Sequence, residues 1–190
     1  MLQKKIKELR KKFFLYIRAH CGKITHEVSE MYLIGQSIDI HQLVEGRKLI
    51  LGGKEIPYEK GLLGHSDADV LLHVVIESII GALGLGDIGK HFSDTDNQFK
   101  DISSMILLEK TFVMMDELGY EINNLDAIIL AQAPKMAPHI EDMKKNISST
   151  LHCHQNKINI KATTGEKLGW IGEGLGMQAQ CVVLLKKKGM

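Results

Sequence analysis

Hydrophobic positions change their period several times along this chain, and each change marks an element. Leu2, Ile6, Leu9, Phe13 and Ile17 fall at helical spacing with lysines between them, which predicts an amphipathic helix over residues 2–17. From Met31 the pattern becomes that of a packed domain. Met31–Ile40 reads as a strand broken at Gly35, Leu49–Leu51 as a short strand entering the Gly52-Gly53 turn, and Ile56–Tyr58 as its partner. Ser66-Asp67-Ala68-Asp69 has the form of a capping box, with Ser66 as the cap. The helix it opens should run to about Ala82 and stop at Gly84 and Gly86. Gly86–Gln98 is a polar loop. A helix follows over Ser103–Leu118, then a strand over Ile122–Ala131 and a loop over Gln132–Pro138. A third helix runs from Pro138 to about Thr150, and strands follow at Lys157–Thr163 and Met177–Leu185, the last bounded by the Gly172–Gly176 loop. Strands and helices alternate, but the short early pairs argue against a doubly wound parallel sheet. The expectation is an α+β fold, a mixed β-sheet with helices packed on one face.

Charge divides the chain. Residues 1–30 hold eight Lys/Arg and three Glu, whereas the rest holds 16 basic and 20 acidic residues. We read 1–30 as a basic N-terminal extension and 31–190 as the catalytic domain. The body's acidic balance makes nucleic acid an unfavourable partner. The most apolar region, Val70–Leu85, is interrupted by His73 and Glu77, so no membrane span is expected. Cys21, Cys153 and Cys181 are odd in number and without CxxC spacing, which argues against a disulfide framework or a cysteine zinc site and fits a reducing compartment.

Several residue sets can carry chemistry. Asp39 and His41, two apart on a strand, point to one face. Read alone they are as well explained by a polar surface pair. Asp69, His73 and Glu77 are spaced by four on one helix face, either an ion-pair row or a metal-binding imidazole held by an acid. One carboxylate and two imidazoles, Asp39, His41 and His73, would suit zinc with an open fourth position. His65-Ser66 precedes a helix start, where backbone N–H groups favour phosphate or simple capping. Asp87-Ile88-Gly89 and Phe92-Ser93-Asp94-Thr95-Asp96 fit either a polyol site or an ordinary turn-rich connection. Ala131-Gln132-Ala133-Pro134-Lys135-Met136 can wall a base pocket or merely connect two elements. Thr163-Thr164-Gly165-Glu166 can hold phosphate and a hard cation. His152-Cys153-His154 reads as a surface turn, since neighbouring loop residues rarely converge on one ion without further ligands.

In order and spacing, Asp39-Ile40-His41, Leu49–Gly53, Ile56–Asp67, His73, Gly86–Gly89, Asp94–Asp96, Ala131–Met136 and Lys161–Gly169 together resemble the 2-C-methyl-D-erythritol 2,4-cyclodiphosphate synthase family. The resemblance spans about Leu33 to Lys186. It implies a homotrimer with active sites between subunits, zinc on Asp39, His41 and His73, and magnesium or manganese on Glu166 and the substrate diphosphate. It implies His65 and Thr164 as transition-state stabilisers and Ser66 as a substrate contact. Asp87–Gly89 and Phe92–Asp96 would hold the methylerythritol. Ala131–Ala137 and Thr163–Glu166 would receive the CDP end, and Trp170 would also contact substrate. The implied activity is a phosphorus–oxygen lyase of the non-mevalonate isoprenoid pathway. A bacterial cytoplasm is expected, or a plastid if residues 1–30 are the tail of a transit peptide.

Two places depart from the family's pattern. Gly-x-Gly-aromatic before the Asp-x-His is here Gly35-Gln36-Ser37-Ile38. The C-terminal Leu-Gly-Phe-x-Gly-Arg-x-Glu-Gly is here Leu168-Gly169-Trp170-Ile171-Gly172-Glu173-Gly174-Leu175-Gly176. An acid in place of arginine should repel an anionic isoprenoid diphosphate from the family's threefold-axis cavity. Two other functions remain open on sequence alone: a zinc phosphoesterase, and a catalytically silent trimer that binds a cytidine nucleotide.

Overall fold

The structure is a computed structural model and describes residues 31–93 and 95–189. The helix expected over 2–17, and Asp94, lie outside these residues. The described part of the body belongs to one compact unit, Met31–Met190.

Among the described residues, seven strands and five α-helices follow in order: β1 (Tyr32–Glu45), β2 (Leu49–Leu51), β3 (Lys54–Ile56), β4 (Lys60–Leu62), α1 (Val70–Ala82), α2 (Ile88–His91), α3 (Ser104–Glu117), β5 (Tyr120–Leu130), α4 (Ile140–Thr150), β6 (Ile158–Thr163), α5 (Gly169–Gly172) and β7 (Gly176–Lys187). The main sheet has the order β4-β1-β7-β5-β6, and β2-β3 form a separate hairpin. Pairing is antiparallel except for β5 and β6, so the sheet is mixed, as the short early strands suggested.

Period-two alternation splits each strand between two faces. On β7, Met177, Ala179, Cys181, Val183 and Leu185 are buried, and on β5 Ile122, Leu125, Ala127 and Ile129. These point to the helical layer, where α1 supplies Leu71, Leu72, Val75, Ile76, Ile79 and Ile80, all fully buried. α1 is apolar nearly all round, as a helix enclosed by sheet and neighbouring helices must be. The opposite sheet face carries Ile34, Ile38, Ile40 and Val182, all exposed.

β1 runs unbroken through Gly35, against expectation. The reason is tertiary: a Cβ there would stand 1.9 Å from the Ser78 carbonyl oxygen of α1. Glycine is needed for strand and helix to touch, not to end the strand. β4 has no alternating signature and was not foreseen. Capping of α1 also differs. Asp69, not Ser66, is the N-cap, accepting from Leu72 N at 3.0 Å, and its carboxylate also accepts from Gly52 N at 2.9 Å and Gly53 N at 2.7 Å. One buried acid thus ties the β2-β3 turn to the start of α1. α4 begins at Ile140, after a 3-10 turn at Ala137–His139 that contains Pro138.

Candidate functional site

β1, β5 and β6 run parallel, so their C-terminal ends lie at one end of the sheet. Most of the candidate segments gather there. Asp39 and His41 sit on the helix-facing side of β1, and His73 comes from the first turns of α1 packed above it.

Asp39 Oδ2 lies 3.0 Å from His41 Nε2 and 3.1 Å from His73 Nδ1, and the two nitrogens are 3.2 Å apart. Each ring is fixed from its far side. His41 Nδ1 is 2.6 Å from the Leu63 carbonyl, which accepts only, so Nδ1 carries a proton; the neutral ring then presents its Nε2 lone pair to a cation, and the protonated ring donates from Nε2 to Asp39. Gly64 leaves room for that ring: a Cβ would come within 3.1 Å of His41 Cε1. His73 Nε2 lies 3.2 Å from the hydroxyls of both Ser66 and Ser104. Ser66, whose Oγ accepts from Ala68 N, is itself held in place by Arg47, which donates to its carbonyl at 2.8 Å.

Electrostatics matches this geometry. Burial alone would raise the Asp39 carboxyl, yet hydrogen bonds and charge from the two imidazoles hold it well below the usual carboxylate range. Burial pulls the His41 imidazole down, but Asp39 beside it outweighs this and the net shift is upward. Three ligand atoms in mutual contact, of the types a divalent cation prefers, form a triad that fits a divalent metal ion. It is the one such group among the described residues.

The other candidate residues are placed as follows. His65 is half-buried and Thr164 exposed, and Thr164 Oγ1 donates to Glu166 at 2.5 Å. Asp87 caps α2, accepting from Lys90 N, with Ile88 and Gly89 in that short helix. Phe92 is buried edge-on against Phe99, anchoring the loop, while the Ser93 and Thr95 hydroxyls pair at 2.8 Å and Asp96 accepts from Gln98 N. Ala131 N donates to the Thr163 carbonyl and Lys167 N to the Gln132 side chain, so the segments beginning at Ala131 and Thr163 are adjacent. Ala131 and Met136 are buried, whereas Lys135 and Ala137 are exposed; Ala133-Pro134 is a cis peptide. Gly165 touches Gly172, and Trp170 packs over Gly176.

The triad and Glu166 are not brought together within this chain. Between β1 and β6 lie β7 and β5, a lateral separation of about 14 Å at ordinary strand spacing. Asp69 and Glu77 do not flank the His73 ring as their spacing suggested. Asp69 serves backbone N–H groups, and Glu77 accepts from Ser37 Oγ at 2.9 Å. Nothing local in the sequence links Ser104, 31 residues ahead of His73, to its ring, or Arg47 to the Ser66 carbonyl to which it donates. His152-Cys153-His154 does form a turn, with the His152 ring 4.5 Å from that of Phe112.

The model of the YgbB family matches residues 32–186. The 2-C-methyl-D-erythritol 2,4-cyclodiphosphate synthase of Geobacillus sp. (strain WCH70) is 60% identical over 158 residues, 83% of this chain and 100% of its own length. Among solved structures, IspF of Plasmodium falciparum in complex with CDP is 35% identical, with a TM-score of 0.74 over 84% of this chain and 98% of that one. The bifunctional IspDF of Campylobacter jejuni is 43% identical, with a TM-score of 0.79 over 82% of this chain, which spans 42% of that longer protein. A metal triad of the right donors, a mixed sheet with one helical layer, and these likenesses agree: the chain belongs to the YgbB family, that of the 2-C-methyl-D-erythritol 2,4-cyclodiphosphate synthases.

Proposed function

We propose that this chain closes 4-diphosphocytidyl-2-C-methyl-D-erythritol 2-phosphate into 2-C-methyl-D-erythritol 2,4-cyclodiphosphate and CMP, a step of non-mevalonate isoprenoid biosynthesis. The observation that carries this is the triad of Asp39 Oδ2, His41 Nε2 and His73 Nδ1, with both rings oriented, in a body 60% identical to a synthase of that name. A 2-phosphate oxygen of the substrate attacks the β-phosphorus. The bond from that phosphorus to the bridging oxygen breaks, and CMP departs with the oxygen and the electron pair. The nucleophile is ionised near neutral pH, so the chain need supply no strong base. Its work is to fold the substrate into attack geometry, an effect worth up to about 7–11 kcal/mol, and to offset charge.

Asp39, His41 and His73 would hold zinc, and Glu166 with the substrate diphosphate would hold magnesium or manganese. When bound, these cations supply charge neutralisation and Lewis acidity at the diphosphate. His65 and Thr164 donate to phosphate oxygens, and Ser66 orients the substrate beside the triad. Asp87–Gly89 and Phe92–Asp96 bind the polyol. Ala131–Ala137, Thr163–Glu166 and Trp170 receive the cytidine end.

The active site in this reading lies between subunits of a homotrimer. Two observations support it: the separation of Glu166 from the triad, and the exposed isoleucines of the sheet face that no described helix covers, which further copies of the chain would cover. With Glu173 and Leu175 in place of the family's arginine and glutamate, binding of farnesyl diphosphate at the threefold axis is expected to be weak; normal affinity would contradict this. No helix among the described residues is long and apolar enough to cross a membrane, which accords with a cytoplasmic enzyme.

Phosphorus NMR with the cytidine diphospho substrate and magnesium tests the activity. CMP with a cyclic diphosphate is the expected outcome. Inorganic phosphate would indicate a phosphoesterase instead, and unchanged substrate a silent nucleotide-binding trimer.

A further inference from the structure

We infer that Ser104 and Asp67 form a relay that fixes the His73 tautomer and strengthens its hold on the cation, a positioning role resting on the triad reading above. The Ser104 hydroxyl donates to Asp67 Oδ1 at 2.5 Å, and Asp67 Oδ2 accepts from Ser104 N at 2.9 Å. An ionised carboxylate has only acceptors, and a hydroxyl has a single proton. With that proton committed to Asp67, the Ser104 oxygen can only accept from His73 Nε2, 3.2 Å away. Nε2 therefore carries the imidazole proton, and Nδ1 presents its lone pair beside Asp39 Oδ2 and His41 Nε2.

The relay is built into the fold. Ser104 is fully buried at the first turn of α3, and Asp67 N is tied to the Ile102 carbonyl just before it. Asp69 N adds a weaker donor to Asp67 at 3.3 Å. Metal-binding imidazoles ordinarily donate their second N–H straight to a carboxylate or carbonyl. His41 does so, to Leu63. His73 reaches its acid through an intervening hydroxyl. Ser66 Oγ, also 3.2 Å from Nε2, is the competing acceptor, but among the described residues no carboxylate is hydrogen-bonded to it.

The test is zinc affinity of the full chain, read by competition with a chromophoric chelator, together with nitrogen-15 NMR of the His73 ring in zinc-loaded protein. Ser104→Ala and Asp67→Asn are each expected to weaken zinc by about 10–100-fold. The double variant should be no weaker than the poorer single one, because both cut one chain. Ser66→Ala should cost less than Ser104→Ala. In the unsubstituted chain the His73 ring should be the Nε2–H tautomer, a measurement that needs no variant to fold. Wild-type zinc affinity in both single variants, multiplicative losses in the double variant, or an Nδ1–H ring would overturn the relay while leaving the triad reading intact. An unsubstituted chain that takes up no zinc would overturn the triad reading, and the relay with it.

Discussion

Asp69 shows how much one buried residue can carry. It is fully buried, accepts three backbone N–H groups from two separate segments, and has no cation beside it in the hydrogen-bond network. Burial drives its carboxyl up to about 6, with the N–H donors holding it back. The sign follows from linkage: between the ordinary value of 3.8 and about 6 the folded state binds the extra proton. The stability from this group is therefore present below about pH 4 and is lost as pH rises through about 6. Asp69→Asn sets an amide N–H against Gly52 or Gly53 N–H and should cost about 1–3 kcal/mol. Its unfolding free energy should also rise more steeply from pH 4 to 6 than that of the unsubstituted chain, which denaturant titrations across that range would show. At the site itself, His73→Ala should strip zinc and abolish turnover while CDP binding persists, measurable by metal analysis and calorimetry. Retained zinc in that variant would remove His73 from the ligand set. The three triad residues were legible in the sequence as types. Their partners Leu63 and Ser104 were not, because a carbonyl carries no residue signature and a serine 31 positions away carries no period.

Elements with strong local punctuation fell where the sequence put them. α1 ends at Ala82 before Gly84 (φ 68°), and α3 occupies Ser104–Glu117 between the Ser103 cap and Gly119. The misses were tertiary in origin. Ser66 looked like the cap of α1, but the N–H groups of the distant Gly52-Gly53 turn favour Asp69 for that place. Gly35 looked like a break, yet it is the contact through which β1 meets α1. Gly35→Ala puts its methyl against backbone atoms of Ser78 and Ala82 rather than a movable side chain. Destabilisation of at least the ~1–3 kcal/mol typical of overpacking is expected. It should also separate Asp39 and His41 from His73, so zinc affinity and the urea midpoint should fall together. A variant of unchanged midpoint would show that strand and helix do not touch as described.

For the whole molecule, the sheet has one face covered by helices and one bearing Ile34, Ile38 and Ile40 in the open. The alternation of β1 showed two faces in the sequence; that neither face is solvent-compatible became clear only with the exposures. Ile38→Lys should leave the helical layer and the triad undisturbed but break a trimer into smaller species by light scattering, with turnover falling and zinc retained. A trimer that survives this change would move the interface elsewhere. The account as a whole stands on three residues from β1 and α1 sharing one cation. Zinc-edge X-ray absorption on the full chain examines this directly. Two imidazole nitrogens and one carboxylate oxygen, all at about 2.0–2.2 Å, are predicted. Sulfur scattering at about 2.3 Å, or a single imidazole, would contradict it.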